Sequence, residues 1–339
     1  VSELLSHHTT FHLGGPAAEF VTATTEEQII QAVTAADAAG TDVLVLGGGS
    51  NLVVADAGFA GTVVKLATTG VTPVPADDGA MLVTVAAGET WDDFVATAVD
   101  KGWSGIEALS GIPGSVGATP IQNVGAYGQD VSQTITSVKV FDRQLRGPRT
   151  FTAEECRFGY RWSRFKAEPD RHVVLEVTFR LGTDGATGSP IAYAQLAGAL
   201  GVGQGTRVPS KQIREAVLAL RRSKGMVIDE ADHDTWSAGS FFTNPVVAPE
   251  DVPDGAPAYP QPDGTVKTSA AWLIDHAGFT KGHGNSRVAL STKHTLALTN
   301  RGDGTTEDLL ALAREVRDGV EAAYGIVLVN EPVMLGVEL

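Results

Sequence analysis

Asp42-Val43-Leu44-Val45-Leu46-Gly47-Gly48-Gly49-Ser50-Asn51-Leu52 is the stretch whose reading decides the fold. An apolar, β-type run empties into a loop almost without side chains, where glycine permits left-handed backbone and successive N–H groups can form a nest for an anion. It reads as a phosphate cradle. A second run of the same character comes further on, Gly111-Ile112-Pro113-Gly114-Ser115-Val116-Gly117, then Ile121-Gln122-Asn123-Val124-Gly125-Ala126-Tyr127-Gly128. Two such loops suggest one long diphosphate ligand held from two sides. In a chain with 39 glycines each loop taken alone also reads as an ordinary turn.

Neither common nucleotide fingerprint fits. A dinucleotide-binding Rossmann unit needs G-x-G-x-x-G between a strand and a helix, with an acidic residue further on. Here Leu52 stands where the third glycine belongs, the chain continues as Val53-Val54-Ala55-Asp56-Ala57-Gly58 with no helical pattern, and Asp42 precedes the loop. No Lys-Ser or Lys-Thr pair closes either glycine run, which removes the P-loop.

Bulk properties narrow the class. A chain of 339 residues with 43% hydrophobic and 19% charged residues is long enough for two or three domains with a large core. No run approaches the roughly 20 apolar residues of a membrane helix, and residues 1–10 lack the basic and apolar regions of a signal peptide, so a cytoplasmic protein is expected. The single Cys156 allows no intrachain disulfide and no cysteine zinc cluster. A net charge of −15 argues against nucleic acid as a partner. Cationic contacts to anionic ligands must then be local.

Outside the loops the chain alternates short strands and helices. A turn signal at Thr9-Thr10-Phe11-His12-Leu13-Gly14-Gly15-Pro16 is followed by a strand over 19–23 and a helix over 26–39. Strands are predicted over 62–66 and 81–85, then a helix over 91–101 capped by Thr90. Further strands are expected over 138–141 and 172–179, and a linker over 182–190. A helix over 211–222 sets Ile213, Ala216, Val217 and Leu220 on one side and Lys211, Arg214 and Arg221 on another, with Lys224 beyond. Such a basic stripe either contacts anions or faces water. Residues 251–264, rich in Pro, Asp and Gly, predict a surface loop, followed by a helix over 268–277, a strand over 295–299, a helix over 306–324 and a strand over 326–329. The rhythm is α+β. His8 and His12 have i, i+4 spacing, but Gly14-Gly15-Pro16 stops any helix and no third ligand has zinc-like spacing, so no metal is expected. His276, His283 and His294 are expected to pack or to contact phosphates.

The glycine runs, the Thr9 to Pro16 turn signal with Ala17, Phe158-Gly159-Tyr160-Arg161-Trp162-Ser163, and Ala238-Gly239-Ser240-Phe241-Phe242-Thr243-Asn244-Pro245 occur in one order over 9–336. In that order they resemble the UDP-N-acetylenolpyruvoylglucosamine reductase family, flavoenzymes that make UDP-N-acetylmuramate for the bacterial cell wall. Tyr193 in Ile191-Ala192-Tyr193-Ala194-Gln195-Leu196 is similar to the branch with an extra Tyr loop over the substrate. The resemblance implies a two-part FAD-binding domain of the vanillyl-alcohol-oxidase/PCMH type, over 1–70 and 71–220, and a C-terminal α+β substrate domain over 221–339 whose last strand returns to the first part. It implies FAD held noncovalently, NADPH as co-substrate, a UDP-sugar substrate and no obligate protein partner.

By the same resemblance Leu46, Gly47, Gly48, Gly49, Ser50 and Asn51 bind the FAD pyrophosphate, and Ile112, Gly114, Ser115, Gly117, Ile121 and Gly125 approach the flavin and its phosphates, with Arg221 a further FAD contact. Tyr127, Tyr160, Tyr193, Lys224 and Asn244 bind substrate. Arg161 faces the charge that develops when hydride reaches the enolpyruvyl group, a role that suits a planar guanidinium. Ser240 protonates the α-carbon, and Glu331 assists at the carboxylate. A serine is a weak acid and serves only beside a strongly basic carbanion with a proton resupplied, by water or Lys224. Two departures stand out: Ala118-Thr119 where a second glycine and alanine are usual, and Pro332 after Glu331. The alternative reading is another FAD-dependent oxidoreductase of the same fold, oxidising a sugar or small alcohol; a nucleotide-binding regulator is the non-enzymatic one.

Overall fold

In the computed structural model, which describes residues 3–339, the cradle strand is Val43–Leu46, parallel to Phe59–Leu66 with Val43 opposite Thr62 and Leu46 opposite Lys65. The glycines lead into a second short strand, Leu52–Val54, and not into a helix. The absence of a helix at this point is what separates the fold from a Rossmann unit.

The residues gather into two compact units. The larger comprises Glu19–Gly48 and Ala60–Arg222; the smaller comprises residues 3–18, Gly49–Phe59 and Ser223–Leu339. One boundary falls inside the glycine run, between Gly48 and Gly49.

The larger unit holds a three-stranded sheet in the order Ala17–Ala23, Phe59–Leu66, Val43–Leu46, and a five-stranded sheet in the order Gly147–Thr152, Ile135–Asp142, His172–Leu181, Met81–Ala86, Val71–Pro75. Every neighbouring pair in the second sheet is antiparallel. Helix Glu26–Ala39 starts where the Thr25 hydroxyl accepts the Gln28 N–H, ends at left-handed Gly40, and buries Ile29, Val33 and Ala36 along one face. Helix Trp91–Asp100 buries Trp91, Phe94, Val95, Ala98 and Val99. The rings of Trp91, Phe94 and Phe179 meet at 5.2–5.9 Å. Each such side chain contributes roughly 1.5–3 kcal/mol through burial.

The smaller unit is built on helix Thr306–Tyr324. A capping box between Thr305 and Asp308 opens it, Gly325 closes it, and Leu309, Leu310, Ala313, Val316 and Val320 face its core. Against it lie the hairpin Val288–Leu290 with Leu298–Asn300 and helix Ala270–His276. A small sheet runs in the order Val246–Val247, Val266–Thr268, Ala258–Pro260. The last strand, Val333–Leu335, pairs parallel with Leu52–Val54.

Five local expectations are corrected. Thr90 stands at the N-cap but makes no side-chain cap; the N–H of Trp91 instead donates to the carbonyl of Gly114 at 3.0 Å, so the second glycine loop does the capping. Residues 182–190 are no free linker: Ser104 and Gly182 exchange backbone bonds at 2.9 and 3.0 Å, and the N–H of Gly185 reaches the carbonyl of Gly102 at 2.9 Å. Within 251–264 the exposed Ala258–Pro260 pairs as an edge strand. The strand expected over 295–299 begins only at Leu298, after a turn closed by the Ser291 N–H on the carbonyl of Ala297 at 2.8 Å. Residues 326–329 form no strand; Ile326 and Leu328 are buried while Val327 and Val329 are exposed, and the pairing at their end is an isolated bridge of Asn330 with Phe242, where the Val329 carbonyl accepts the Thr243 N–H at 2.9 Å.

Candidate active site

In the larger unit the two glycine loops meet. A Cβ on Gly48 would lie 2.6 Å from the Cα of Gly114, so only glycine lets the backbones approach this closely. The hydroxyl of Ser115 packs on Gly47, is buried, and has no hydrogen-bond partner among the described residues. Ile112, Gly114, Ser115 and Gly117 lie on the second loop, whose N–H at Gly117 is tied to the carbonyl of Ala87 at 2.9 Å. Thr119 occupies its unusual position by turning its hydroxyl onto the carbonyl of Val116 at 2.8 Å.

Asp92, absent from the sequence-based site, organises this region. Its carboxylate accepts the N–H of Gly111 at 2.6 Å and the Arg214 guanidinium at 2.5 and 2.9 Å. Arg214 is thus an internal tie and not a free anion contact. An acidic residue in the first turn after Thr90 was the available signal. Burial raises the Asp92 pKa, but Arg214, the Gly111 N–H and Arg221 outweigh it and hold the carboxyl below its usual range. The folded pKa lies below the unfolded one, so the stabilisation is complete above the ordinary carboxylate range and is lost as pH falls through the lowered folded value. Asp92→Asn is expected to cost roughly 1.5–3 kcal/mol at neutral pH and to flatten the acid limb of an unfolding-versus-pH series; an unchanged acid limb would discard this assignment.

Arg161 stands in a tight turn between Gly159 and Trp162, which exchange backbone bonds at 2.9 and 3.2 Å, and takes a left-handed φ of 50°. Its guanidinium donates to the carbonyl of Gly125 at 3.0 Å and lies 5.5 Å from the Tyr160 ring centroid. Ser163 donates to the carbonyl of Ile121, and Asn123 donates to that of Gly159 at 3.0 Å, so this turn is tied to the 121–125 loop. Tyr127 and Tyr193 meet edge to face at 5.8 Å. Arg221, on helix Ser210–Ser223, is buried; burial lowers its pKa against the pull of Tyr127 and Asp92. The basic stripe is therefore not one solvated face.

In the smaller unit Gly49 has a φ of 60°, and a Cβ there would run into the carbonyl of His8. Asn51 donates to the carbonyl of Glu331 at 3.4 Å, and the N–H of Glu331 donates to the carbonyl of Phe241, next to Ser240, at 2.8 Å. Pro332 fits this register because the next N–H along the chain, that of Val333, carries the bond to Asn51 at 2.9 Å. Asn244 accepts the N–H of Ala270 at 3.0 Å. Burial first, then Lys224 and Lys281, push His294 down to about 4. His276 stacks on Trp272 and His283 pairs with Glu315 at 2.9 Å. Among the described residues no group of three or more His, Cys, Asp and Glu side chains could hold a metal ion.

The glycine backbone and the buried Ser115 hydroxyl, a donor that lacks an acceptor, suit the phosphates of FAD. A family model described as an FAD binding domain matches residues 17–144, and another, described as UDP-N-acetylenolpyruvoylglucosamine reductase, C-terminal domain, matches residues 230–335. A non-Rossmann, FAD-binding oxidoreductase is the class these features define. The chain is 58% identical to the UDP-N-acetylenolpyruvoylglucosamine reductase of Streptomyces avermitilis over 98% of this chain and 93% of that one. It is 57% identical to the enzyme of that name from Thermobifida fusca, over 99% and 97%. The crystal structure of the reductase from Thermus caldophilus superposes with a TM-score of 0.67 at 26% identity, covering 99% of this chain and 98% of that one. The chain belongs to the UDP-N-acetylenolpyruvoylglucosamine reductase family, FAD-binding enzymes of peptidoglycan precursor synthesis. Among the described residues no helix is long and apolar enough to cross a membrane.

Proposed function

We propose that this chain reduces UDP-N-acetylenolpyruvoylglucosamine to UDP-N-acetylmuramate with NADPH, in the cytoplasm, using FAD held without a covalent bond. The observation that carries the reading is the pairing, along one chain, of a glycine phosphate cradle with the Gly239-Ser240-Phe241-Phe242 loop, joined by the backbone bond of Glu331 to Phe241 and the side-chain bond of Asn51 to Glu331. Bound FAD supplies hydride transfer from NADPH to the enolpyruvyl group.

The chain's own groups do the rest. Gly47, Gly48 and Gly49 with Ser50 and Asn51 present backbone to the pyrophosphate, and Ser115 donates to a phosphate oxygen. Leu46, Ile112, Gly114, Gly117, Ile121, Gly125 and Arg221 complete the FAD contacts. Arg161 binds the substrate carboxylate and opposes the charge that builds there, as preorganised donors do in a closed site. Ser240 delivers a proton to the α-carbon, and Glu331 acts at the carboxylate. Lys224 binds the sugar diphosphate, and Tyr127, Tyr160, Tyr193 and Asn244 orient the sugar nucleotide.

Noncovalent attachment is supported by the chemistry of the available nucleophiles. No His or Cys lies in the cradle, and burial pushes the thiol of Cys156 up to about 12, which keeps it from forming a reactive thiolate. The purified protein is expected to be yellow, to bleach with NADPH, to regain colour with the enolpyruvyl UDP-sugar, and to release all flavin into the supernatant on acid precipitation. Flavin retained in the pellet refutes noncovalent binding; failure of the UDP-sugar to restore colour refutes the substrate.

A further inference from the structure

Thr10 makes two hydrogen bonds in different directions, one to the cradle and one to the loop that carries Ser240. Its N–H donates to the carbonyl of Gly49 in the cradle at 3.2 Å, and its hydroxyl donates to the carbonyl of Ser237 at 2.7 Å. Ser237 in turn accepts, on its own hydroxyl, the N–H of Gly239 at 3.1 Å, one residue before Ser240. On the far side of Ser240 the carbonyl of Phe241 accepts the Glu331 N–H, and the Glu331 carbonyl accepts from Asn51. A ring of bonds thus leaves the cradle at Gly49, passes through Thr10 and the 237–241 loop, and returns at Asn51.

No helix or strand ladder holds that loop. Gly239 has a φ of 73°, and Ser237 to Ser240 lie outside any helix or strand. Thr10 itself is well fixed: it is 8% exposed, the next residue, Phe11, packs edge-on against Phe241 at 6.3 Å, and Asn300 donates to the carbonyl of Phe11 at 3.0 Å. A buried carbonyl that loses its donor suffers the desolvation of the group and turns to find another. At the Ser237 carbonyl such a turn would carry Ser240 with it.

We propose that Thr10 is a positioning residue whose hydroxyl sets the 237–241 loop, and with it the proton-donating hydroxyl of Ser240, against the Gly49 end of the phosphate cradle. The proposal rests on the reading of Ser240 as the proton donor. Misplacement by about 1 Å of a group that must meet a reacting carbon costs on the order of 10²-fold in rate.

The test compares the holoenzyme with Thr10→Val, which keeps the shape and removes the hydroxyl, and with Thr10→Ser, which keeps the hydroxyl. Thr10→Val is expected to lower kcat for the UDP-sugar roughly 10- to 100-fold, to leave KM, FAD affinity and bleaching by NADPH unchanged, and to raise the solvent deuterium isotope effect on kcat. Thr10→Ser is expected to restore turnover. Wild-type kcat in Thr10→Val, a parallel fall in bleaching and turnover, or no rescue by Thr10→Ser each overturns the proposal. Should Thr10→Val not fold, Thr10→Ala replaces it, and failure of both shows a purely structural bond and overturns it as well. If the wild-type protein itself does not turn over the UDP-sugar, the proposed function fails instead, a result distinguishable from all of these.

Discussion

Ser240→Ala is expected to leave bleaching by NADPH nearly intact and to slow the return of flavin colour on adding the enolpyruvyl UDP-sugar by about 10²–10⁴-fold, the usual worth of general acid catalysis. The two half-reactions separate because NADPH needs no proton delivered to the substrate carbon, whereas the sugar does. Ser240 is only partly buried, beside left-handed Gly239, so its replacement leaves no void in the Phe241 and Phe242 core below it. Stability should hardly change. Ser240→Cys, which keeps a proton donor of greater acidity, should retain more activity than the alanine variant. Colour returning at the wild-type rate in Ser240→Ala would move the proton to another group.

Arg161→Gly is expected to separate stability from activity. A left-handed φ costs a non-glycine residue roughly 1–2 kcal/mol, and Arg161 holds one at 50°. Glycine removes that strain, at the expense of the bond to the Gly125 carbonyl, the Tyr160 contact and some chain entropy. These terms nearly cancel, so unfolding free energy should stay within about 1 kcal/mol of wild type. Turnover should fall roughly 10²–10³-fold, the loss typical when one preorganised donor to developing charge is removed. A stable variant with full activity would show that the strained turn serves packing alone.

Much of the fold, and the motif order that gives the family, was legible because those signals are local. The glycine run after Val43–Leu46, the failed Rossmann spacing at Leu52, the helix from Thr306 and the order of the motifs carrying Arg161, Ser240 and Glu331 lie in short stretches of chain. Backbone conformation within a few residues decides them. What was missed depends on partners distant in sequence. Arg214 reads as half of a basic stripe, yet Asp92 claims it; residues 182–190 read as a linker, yet they bond to Ser104 and Gly102. Alternation over 326–329 reports which side chains are buried and says nothing of which backbone groups find a ladder.

By itself the sequence determined the α+β class, the glycine loop over 46–51 that opens into no helix, and the family, since each derives from glycine freedom, hydrophobic period or motif order. Only the tertiary structure decided that Gly48 lies against Gly114, that the carbonyl of Gly114 caps the Trp91 helix, and that Thr10 links Gly49 to the Ser240 loop. Those contacts join residues far apart along the chain through main-chain atoms, and because every residue type carries the same carbonyl, no residue type announces which one its N–H or hydroxyl will meet.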